Sequence, residues 1–373
     1  MESNQVKYWV GFSLIPGIGR VRFSQLENNF DTMEKAWQAS PAEFRQAGLD
    51  HSSANSIINW RPKISPEAEM DKLERHGVQA LSYRDPAYPS LLKEIYDYPP
   101  VLYVRGTLLP EEEWYLAVVG TRRATAYGKQ VTEEIITDLT QNHTTVVSGL
   151  ARGIDTVAHR AALAAGGRTI AIFACGLDLV YPTENTELAR HIIKRGALIS
   201  EYPLGTRPRP EYFPRRNRIM SGMSLGVLVV EAGESSGALI TAQMALEQNR
   251  EVFAIPGSIF STSSHGTNHL IQEGAKLVCS YTDILEELNL MAVARQMEIK
   301  EILPSSDTES LLLKQLGTEP THIDEVCRSS SLPAATVSST MAMMELKGLI
   351  KQVGAMNYVL AREAREAYRV KVD

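Results

Sequence analysis

Cysteine is scarce: the 373 residues hold three, Cys175, Cys279 and Cys327, far apart and without a C-x-x-C pair. That argues against a disulfide framework or a thiolate zinc site and fits a reducing compartment. No run approaches the about 18 consecutive apolar residues of a membrane span. The apolar stretch at the N-terminus is too short for a signal peptide and is broken by Pro16 and Gly17. A soluble cytoplasmic protein without membrane contact is expected. Basic residues are not in excess, since 38 Lys and Arg face 44 Asp and Glu for a net charge of −6. A protein that coats nucleic acid over its whole surface is excluded, and any such site must be a local basic patch. With 44% hydrophobic and 22% charged residues, global disorder is excluded as well.

What is present divides into modules. Residues 1–80 form a helical unit, with Trp9, Val10, Leu14, Phe23, Leu26 and Phe30 near a helical period. Pro16-Gly17-Ile18-Gly19 interrupts that period. The turn is either a tight connection in a small bundle or a helix-hairpin-helix, whose glycines let backbone amides reach a phosphate. Residues 81–290 change rhythm: short apolar runs at Tyr115–Val119, Thr144–Val147, Thr169–Ala174, Ala197–Ser200, Gly226–Val230, Val252–Ile255 and Lys276–Cys279 alternate with helical stretches such as Tyr127–Asn142, Asp155–Ala165, Thr183–Arg195 and Ala238–Gln248. Continuous apolar strands between helices predict a doubly wound, mostly parallel α/β sheet, whose ligands lie at the carboxyl ends of the strands. Residues 291–308 read as a linker around Pro304-Ser305-Ser306. Residues 309–373 read as a winged helix, with helices at Leu311–Leu316, His322–Cys327 and Ala334–Leu346 and a hairpin at Lys351–Leu360.

Chemistry-bearing residues cluster at the expected strand ends. Gly120-Thr121-Arg122 follows the first strand, and the helix opening at Tyr127-Gly128 offers free amides to an anion. This is not G-x-G-x-x-G, and Arg122 and Arg123 stand where a dinucleotide fold keeps small residues, so no dinucleotide cofactor is expected. Ser148-Gly149-Leu-Ala-Arg152-Gly-Ile-Asp155 follows the second strand, with Asp155 as a helix cap and His159 one turn on. A Ser148–His159 nucleophile and base would be a hydrolase reading, but the element is not G-x-S-x-G and no orienting acid can be assigned. Residues 205–218 carry five arginines against one glutamate: Arg207, Arg209, Arg215, Arg216 and Arg218, beside Tyr212 and Phe213. Guanidinium groups grip phosphate and aromatic rings stack on unpaired bases, which points to a single-strand site. The alternatives are pairing of individual arginines with Glu201, Glu211 or Glu231, and a core position for Phe213. Ser235-Ser236-Gly237 makes a further anion cradle at a helix start, or an ordinary N-cap. His265 and His269, four residues apart, lack the companions of a zinc site, so no metal is expected. The helix at Pro333–Leu346 has no Lys or Arg, and Met341, Met343 and Met344 give it an apolar surface suited to protein contact.

These residues identify a resemblance. The chain resembles the DNA-processing protein A (DprA/Smf) family through Tyr88-Pro89, Pro99-Pro100 to Gly106, Gly120-Thr-Arg122, Tyr127-Gly128, Ser148 to Asp155 with His159, Phe213-Pro-Arg-Arg216-Asn217-Arg218, Ser236-Gly237 to Thr241, Pro256-Gly257 and Gly266-Thr-Asn268. The match is specific over about residues 80–285. The resemblance implies a Rossmann-like domain that binds single-stranded DNA without sequence preference and dimerises, flanked by a helix-hairpin-helix or SAM-like helical domain and a variable winged helix. Such proteins protect incoming DNA during natural transformation and load RecA onto it past single-strand-binding protein (SSB). They are not known as nucleotide-consuming enzymes. Carried over by position, Gly120, Thr121, Arg122, Ser148, Gly149, Arg152, Arg215, Arg216, Asn217, Arg218, Ser236 and Gly237 would contact DNA, with no catalytic, cofactor or metal residue. A second reading is a phosphoribohydrolase-like enzyme on a related sheet, although Glu231-Ala-Gly-Glu-Ser-Ser-Gly lacks the paired glycines of that loop. A third is a protein-interaction scaffold.

Overall fold

The computed structural model describes residues 5–109, 114–291, 306–317, 320–347, 349–354 and 356–360. The chain forms two compact units, Met1–Leu288 and Asn289–Asp373. The first begins with short helices: α1 (Val6–Ser13), α2 (Arg20–Asn29), α3 (Met33–Gln38), α4 (Pro41–Gln46), α5 (His51–Trp60) and α6 (Pro66–Arg75). Their ends are set by side-chain caps at Thr32, Ser40, Asp50 and Ser65, and Ser40 with Glu43 closes a capping box.

The sheet follows, as β1 (Gln79–Ser82), α7 (Ser90–Glu94), β2 (Val101–Gly106), β3 (Tyr115–Val119), α8 (Ala126–Gln141), β4 (Thr145–Ser148), α9 (Ile154–Ala164), β5 (Thr169–Phe173), α10 (Thr186–Arg195), β6 (Ala197–Ser200), α11 (Tyr212–Gly222), β7 (Gly226–Val229), α12 (Gly237–Glu247), β8 (Glu251–Ala254), α13 (His265–Gln272), β9 (Lys276–Leu277) and α14 (Tyr281–Glu287). Its nine strands run in the order β1-β2-β6-β5-β4-β3-β7-β8-β9. From β6 to β9 the pairing is parallel, and β1 and β2 add an antiparallel edge. The apolar runs are strands because both faces are covered: all five residues of β3 are buried, as are all five of β5.

One face packs on α1–α6, where Trp9, Phe12, Phe23 and Leu26 share a core with Tyr103, Phe173 and Ile192. Ser13 and Tyr103 hydroxyls meet at 2.8 Å across that contact. The other face buries Ile219 and Met220 of α11 and Ala242 and Ala245 of α12 against Val227 and Val229. The chain winds from β3 through β4 and β5 to β6 on one side and resumes with β7 and β8 on the other. The sheet therefore changes direction at β3, and the crevice outside its carboxyl end is where such folds bind ligands.

The second unit, taken by itself, has α15 (Asp307–Leu313), β10 (Thr321–His322), α16 (Ile323–Ser330), α17 (Ala334–Leu346), β11 (Ile350–Gln352) and β12 (Asn357–Leu360), with the strands ordered β10-β12-β11. This is a winged helix. Residues 292–305 of the expected linker lie outside the described residues. The methionine surface expected on α17 needs correction: Met341 and Met344 are fully buried with Val326 and Val337, and only Met343 is exposed. Among the described residues no helix is long and apolar enough to cross a membrane.

Candidate functional site

At the switch point an open groove of about 380 Å³ is lined by Gly120, Thr121 and Arg122 after β3, Ala151 and Asp155 beyond β4, Gly233 and Ser235 to Ala238 with Ile240 and Thr241 beyond β7, and Phe213, Pro214, Arg216, Asn217 and Met220 of α11. Three separate loops reach one place because their strands are neighbours in the order β4-β3-β7. A side notch adds Gly149, Arg152, Tyr181 and Pro182 against Arg122 and Phe213.

Three residues of the groove, Phe213, Arg122 and Arg216, behave differently. Phe213 is half-buried in the groove wall rather than in the core, 5.7 Å from the Tyr181 ring. Arg122 is exposed, its guanidinium 5.6 Å from the Phe213 ring, and no ion pair holds it among the described residues. Arg216 is 5% exposed; its Nη1 donates to the carbonyls of Gly149 at 2.7 Å and Ile172 at 2.5 Å, and its Nε to Asn217 Oδ1 at 3.1 Å. It closes the groove floor. A Cβ on Gly149 would lie 2.3 Å from Nη1, so only glycine fits beneath that guanidinium.

Asp155 does not cap α9, as the sequence reading expects; Gly153 holds that position. Its carboxylate instead accepts the amides of Gly149 at 3.1 Å and Ala151 at 3.2 Å, fixing the loop after β4. Burial pushes its carboxyl up from the ordinary range, opposed by the facing Arg216 and the two amides. Burial likewise pulls the Arg216 guanidinium down.

The start of α8 also departs from expectation. Its start is already occupied by an acid: Thr125 caps it through Gly128 N at 3.1 Å, and the buried Glu231 carboxylate accepts Thr125 N at 3.0 Å and its hydroxyl at 2.5 Å. Glu231 supplies the negative charge that a ligand would otherwise bring. The start of α12 is the open one. Gly237 is exposed with nothing within 4 Å of a Cβ position, and Ser236 caps only Ala238 N, at 3.3 Å. One turn on, Thr241 is 1% exposed and its hydroxyl has no hydrogen-bond partner, although the residue lines the groove. Thr241 is not among the contacts expected from sequence; its i+4 spacing from Gly237 is the signal that finds it.

The remaining expected contacts separate. Gly120, Thr121, Arg122, Arg216, Asn217, Ser236 and Gly237 come together in the groove, and Gly149 and Arg152 join Arg122 at the notch. Arg152 pairs in a fork with Glu184, at 2.9 and 2.7 Å, in an exposed setting. Ser148 is buried beneath, its hydroxyl donating to Val118 O at 2.6 Å. Arg215 is exposed and Arg218 is not, and neither lines the groove. Arg218 is held by Glu201 at 2.5 Å and Asp97 at 3.2 Å. The Ser148–His159 dyad is not assembled either. His159 Nδ1 lies 2.7 Å from the Thr169 hydroxyl, and burial drives its imidazole down to about 3, which makes it too weak a base to activate a hydroxyl. Among the described residues no group of three or more metal-ligating side chains is found.

A model of the family described as DNA recombination-mediator protein A matches residues 79–289, and one described as the DprA winged helix domain matches residues 300–356. Protein Smf of Synechocystis sp. is 35% identical over 96% of this chain and 99% of its own length. DNA processing protein DprA of Bacillus subtilis is 46% identical over 63% of this chain and 78% of its own. The X-ray structure of DNA processing protein A from Streptococcus pneumoniae superposes with a TM-score of 0.66 at 37% identity, over 75% of this chain and 97% of that one. A structure of DNA processing protein A from Helicobacter pylori, described for its single-stranded DNA binding mode, has a TM-score of 0.52 at 30% identity, over 57% of this chain and 95% of that one.

Proposed function

The chain belongs to the DNA recombination-mediator protein A family, and on that premise we propose that the groove at its switch point holds single-stranded DNA without sequence preference. The observation that carries the reading is the facing pair of walls. Arg122, free of any counter-ion among the described residues, lies over Phe213 on one side, and the open start of α12 with the unpartnered Thr241 hydroxyl lies on the other. A strand phosphate would meet Arg122 and the α12 amides, and a base would stack on Phe213. None of these contacts reads a base edge, so the binding carries no sequence code. The single-strand binding described for the Helicobacter pylori relative supports the same assignment.

In this proposal the protein acts without catalysing a reaction. As a homodimer in the cytoplasm it shields incoming strands during natural transformation and loads RecA onto strands that SSB has coated. The burial of Ser148 and the depressed imidazole of His159 favour it over the nucleotide-hydrolysing alternative. The test compares electrophoretic retention of a single strand and its duplex, followed by RecA filament growth on SSB-coated strands with and without the protein. Preferential retention of the single strand and faster growth are expected. Equal retention of both forms, or free base released from nucleoside monophosphates, overturns the reading.

A further inference from the structure

The carboxyl edge of the sheet carries a second aromatic and cationic plate, outside the groove, formed by the start of α2 and the segment leading into β2. Arg20, the first residue of α2, places its guanidinium 4.7 Å from the Tyr96 ring and 4.9 Å from the Tyr98 ring. Its Nε is buried without an acceptor, and no ion pair holds Arg20 among the described residues. Tyr96 is 80% exposed, so its ring is open to a partner from solvent. Arg20 directly follows the Pro16-Gly17-Ile18-Gly19 turn, whose Gly17 takes φ +83° and whose two glycines face open space.

The plate is connected to the groove. Beside Phe213, Tyr212 stacks on Tyr202 at 4.3 Å, and Arg209 lies 5.8 Å from the Tyr212 ring. Tyr202 adjoins Glu201, Glu201 holds Arg218, and Arg218 holds Asp97, the residue between Tyr96 and Tyr98. Strand β2 begins just after Tyr98 and runs antiparallel to β6, so this corner lies at the carboxyl end of β6, on the edge where the groove opens. The acids along the way are engaged: Glu201 and Asp97 by Arg218, and Glu211 lies 4.0 Å from Arg209.

We infer that the Arg20–Tyr96–Tyr98 plate is a second contact for the same single strand, taking a phosphate on Arg20 and a base on Tyr96 after the strand leaves the groove. The inference rests on the groove reading, and a strand too short to span both places would not feel it.

Fluorescence titrations with oligo-dT of about 5 nucleotides, near the lower limit of single-strand site sizes, and about 30 nucleotides, beyond their upper limit, test it. Tyr96→Ala, at an exposed position, is expected to weaken the long oligomer about tenfold and leave the short one unchanged, as the loss of one stacked base would. Arg20→Ala is expected to do the same, and Tyr96→Phe to bind as the parent does. If the parent binds both oligomers and Tyr96→Ala changes neither, or weakens both equally, the plate is no DNA contact while the groove reading stands. If the parent binds neither, both fall together.

Discussion

Arg216 Nη1 lies 2.7 Å from the carbonyl oxygen of Gly149 and holds the tip of β4 from a helix that begins more than sixty residues later. The residue that by type is the groove's obvious phosphate grip is thereby part of its floor. Its removal would strip Ile172 O and Gly149 O of a donor and leave the buried Asp155 without the facing cation. Arg216→Ala is expected to lose about 3–5 kcal/mol of stability, as when one partner of a buried charge pair is removed. Urea denaturation checks this, and a loss below about 0.5 kcal/mol, the size of an ordinary surface substitution, contradicts it.

Arg122 and Arg218 make a contrasting pair. The first has no ion pair among the described residues and faces the groove; the second is neutralised by Glu201 and Asp97. Affinity for a single strand should fall with salt by about 0.7 log units per log unit for each phosphate neutralised. Arg122→Ala should lower that slope by about 0.7 and weaken all sequences alike. Arg218→Ala should leave the slope unaltered and lower the melting temperature instead, because Glu201, its side chain only 17% exposed, loses its ion-pair partner. A matching drop of slope in both variants would show that the Glu201 pair opens for DNA.

The same pair shows what the sequence carries and what it withholds. The runs at Tyr115–Val119, Thr169–Ala174 and Ala197–Ser200 became strands because a strand covered on both faces has to be apolar throughout, a local property. Strands β1 and β2 carry weaker signals: β1 is a four-residue edge strand, and β2, although six residues long and paired antiparallel on both sides, has no helix between it and β1 beyond the five-residue α7 and follows Pro99-Pro100, which reads as a break. The arginine cluster at residues 205–218 is visible as composition, and Glu201 and Glu211 stand near enough in sequence to be named as partners for it, as Arg218 and Arg209 then show; but Asp97 and the amide-bound Asp155, which complete the sorting, are distant. Glu231 likewise claims the start of α8 from over a hundred residues away. Residue type marks the site, and only three-dimensional pairing tells the free cation from the structural one.

Gly128 tests the Glu231 clamp directly. A Cβ there would lie 2.2 Å from Glu231 Oε2, so Gly128→Ala must displace the carboxylate from Thr125. The expected cost is about 1–3 kcal/mol, the usual range for overpacking. Gly237 is the control, since a Cβ there meets nothing within 4 Å. Gly237→Ala should leave stability unchanged or raise it by about 0.4–1 kcal/mol through the unfolded chain. Equal destabilisation of both variants in thermal melts would remove the clamp from the explanation.

The buried imidazole sets an acid limit on stability. His159 is held neutral down to about pH 3, by burial first and by the charge of Arg216 second, whereas an exposed histidine in the unfolded chain takes up its proton near 6.5. Between those values the unfolded state binds the proton and the folded state does not, so stability is full above about pH 6.5 and falls as the pH drops, by about 1.4 kcal/mol per unit well inside the window. Asp155, whose carboxyl is shifted up, contributes the opposite slope as the pH falls through its own raised value and so offsets part of the loss at the acid end. Replacement of the ring by an amide, His159→Asn, should remove the steeper part of the curve between about pH 6 and pH 4 even if it lowers stability at neutrality. Denaturation midpoints across that range decide the matter: parallel curves for parent and variant would mean that His159 is not the proton acceptor, and convergence toward acid pH would mean that it is.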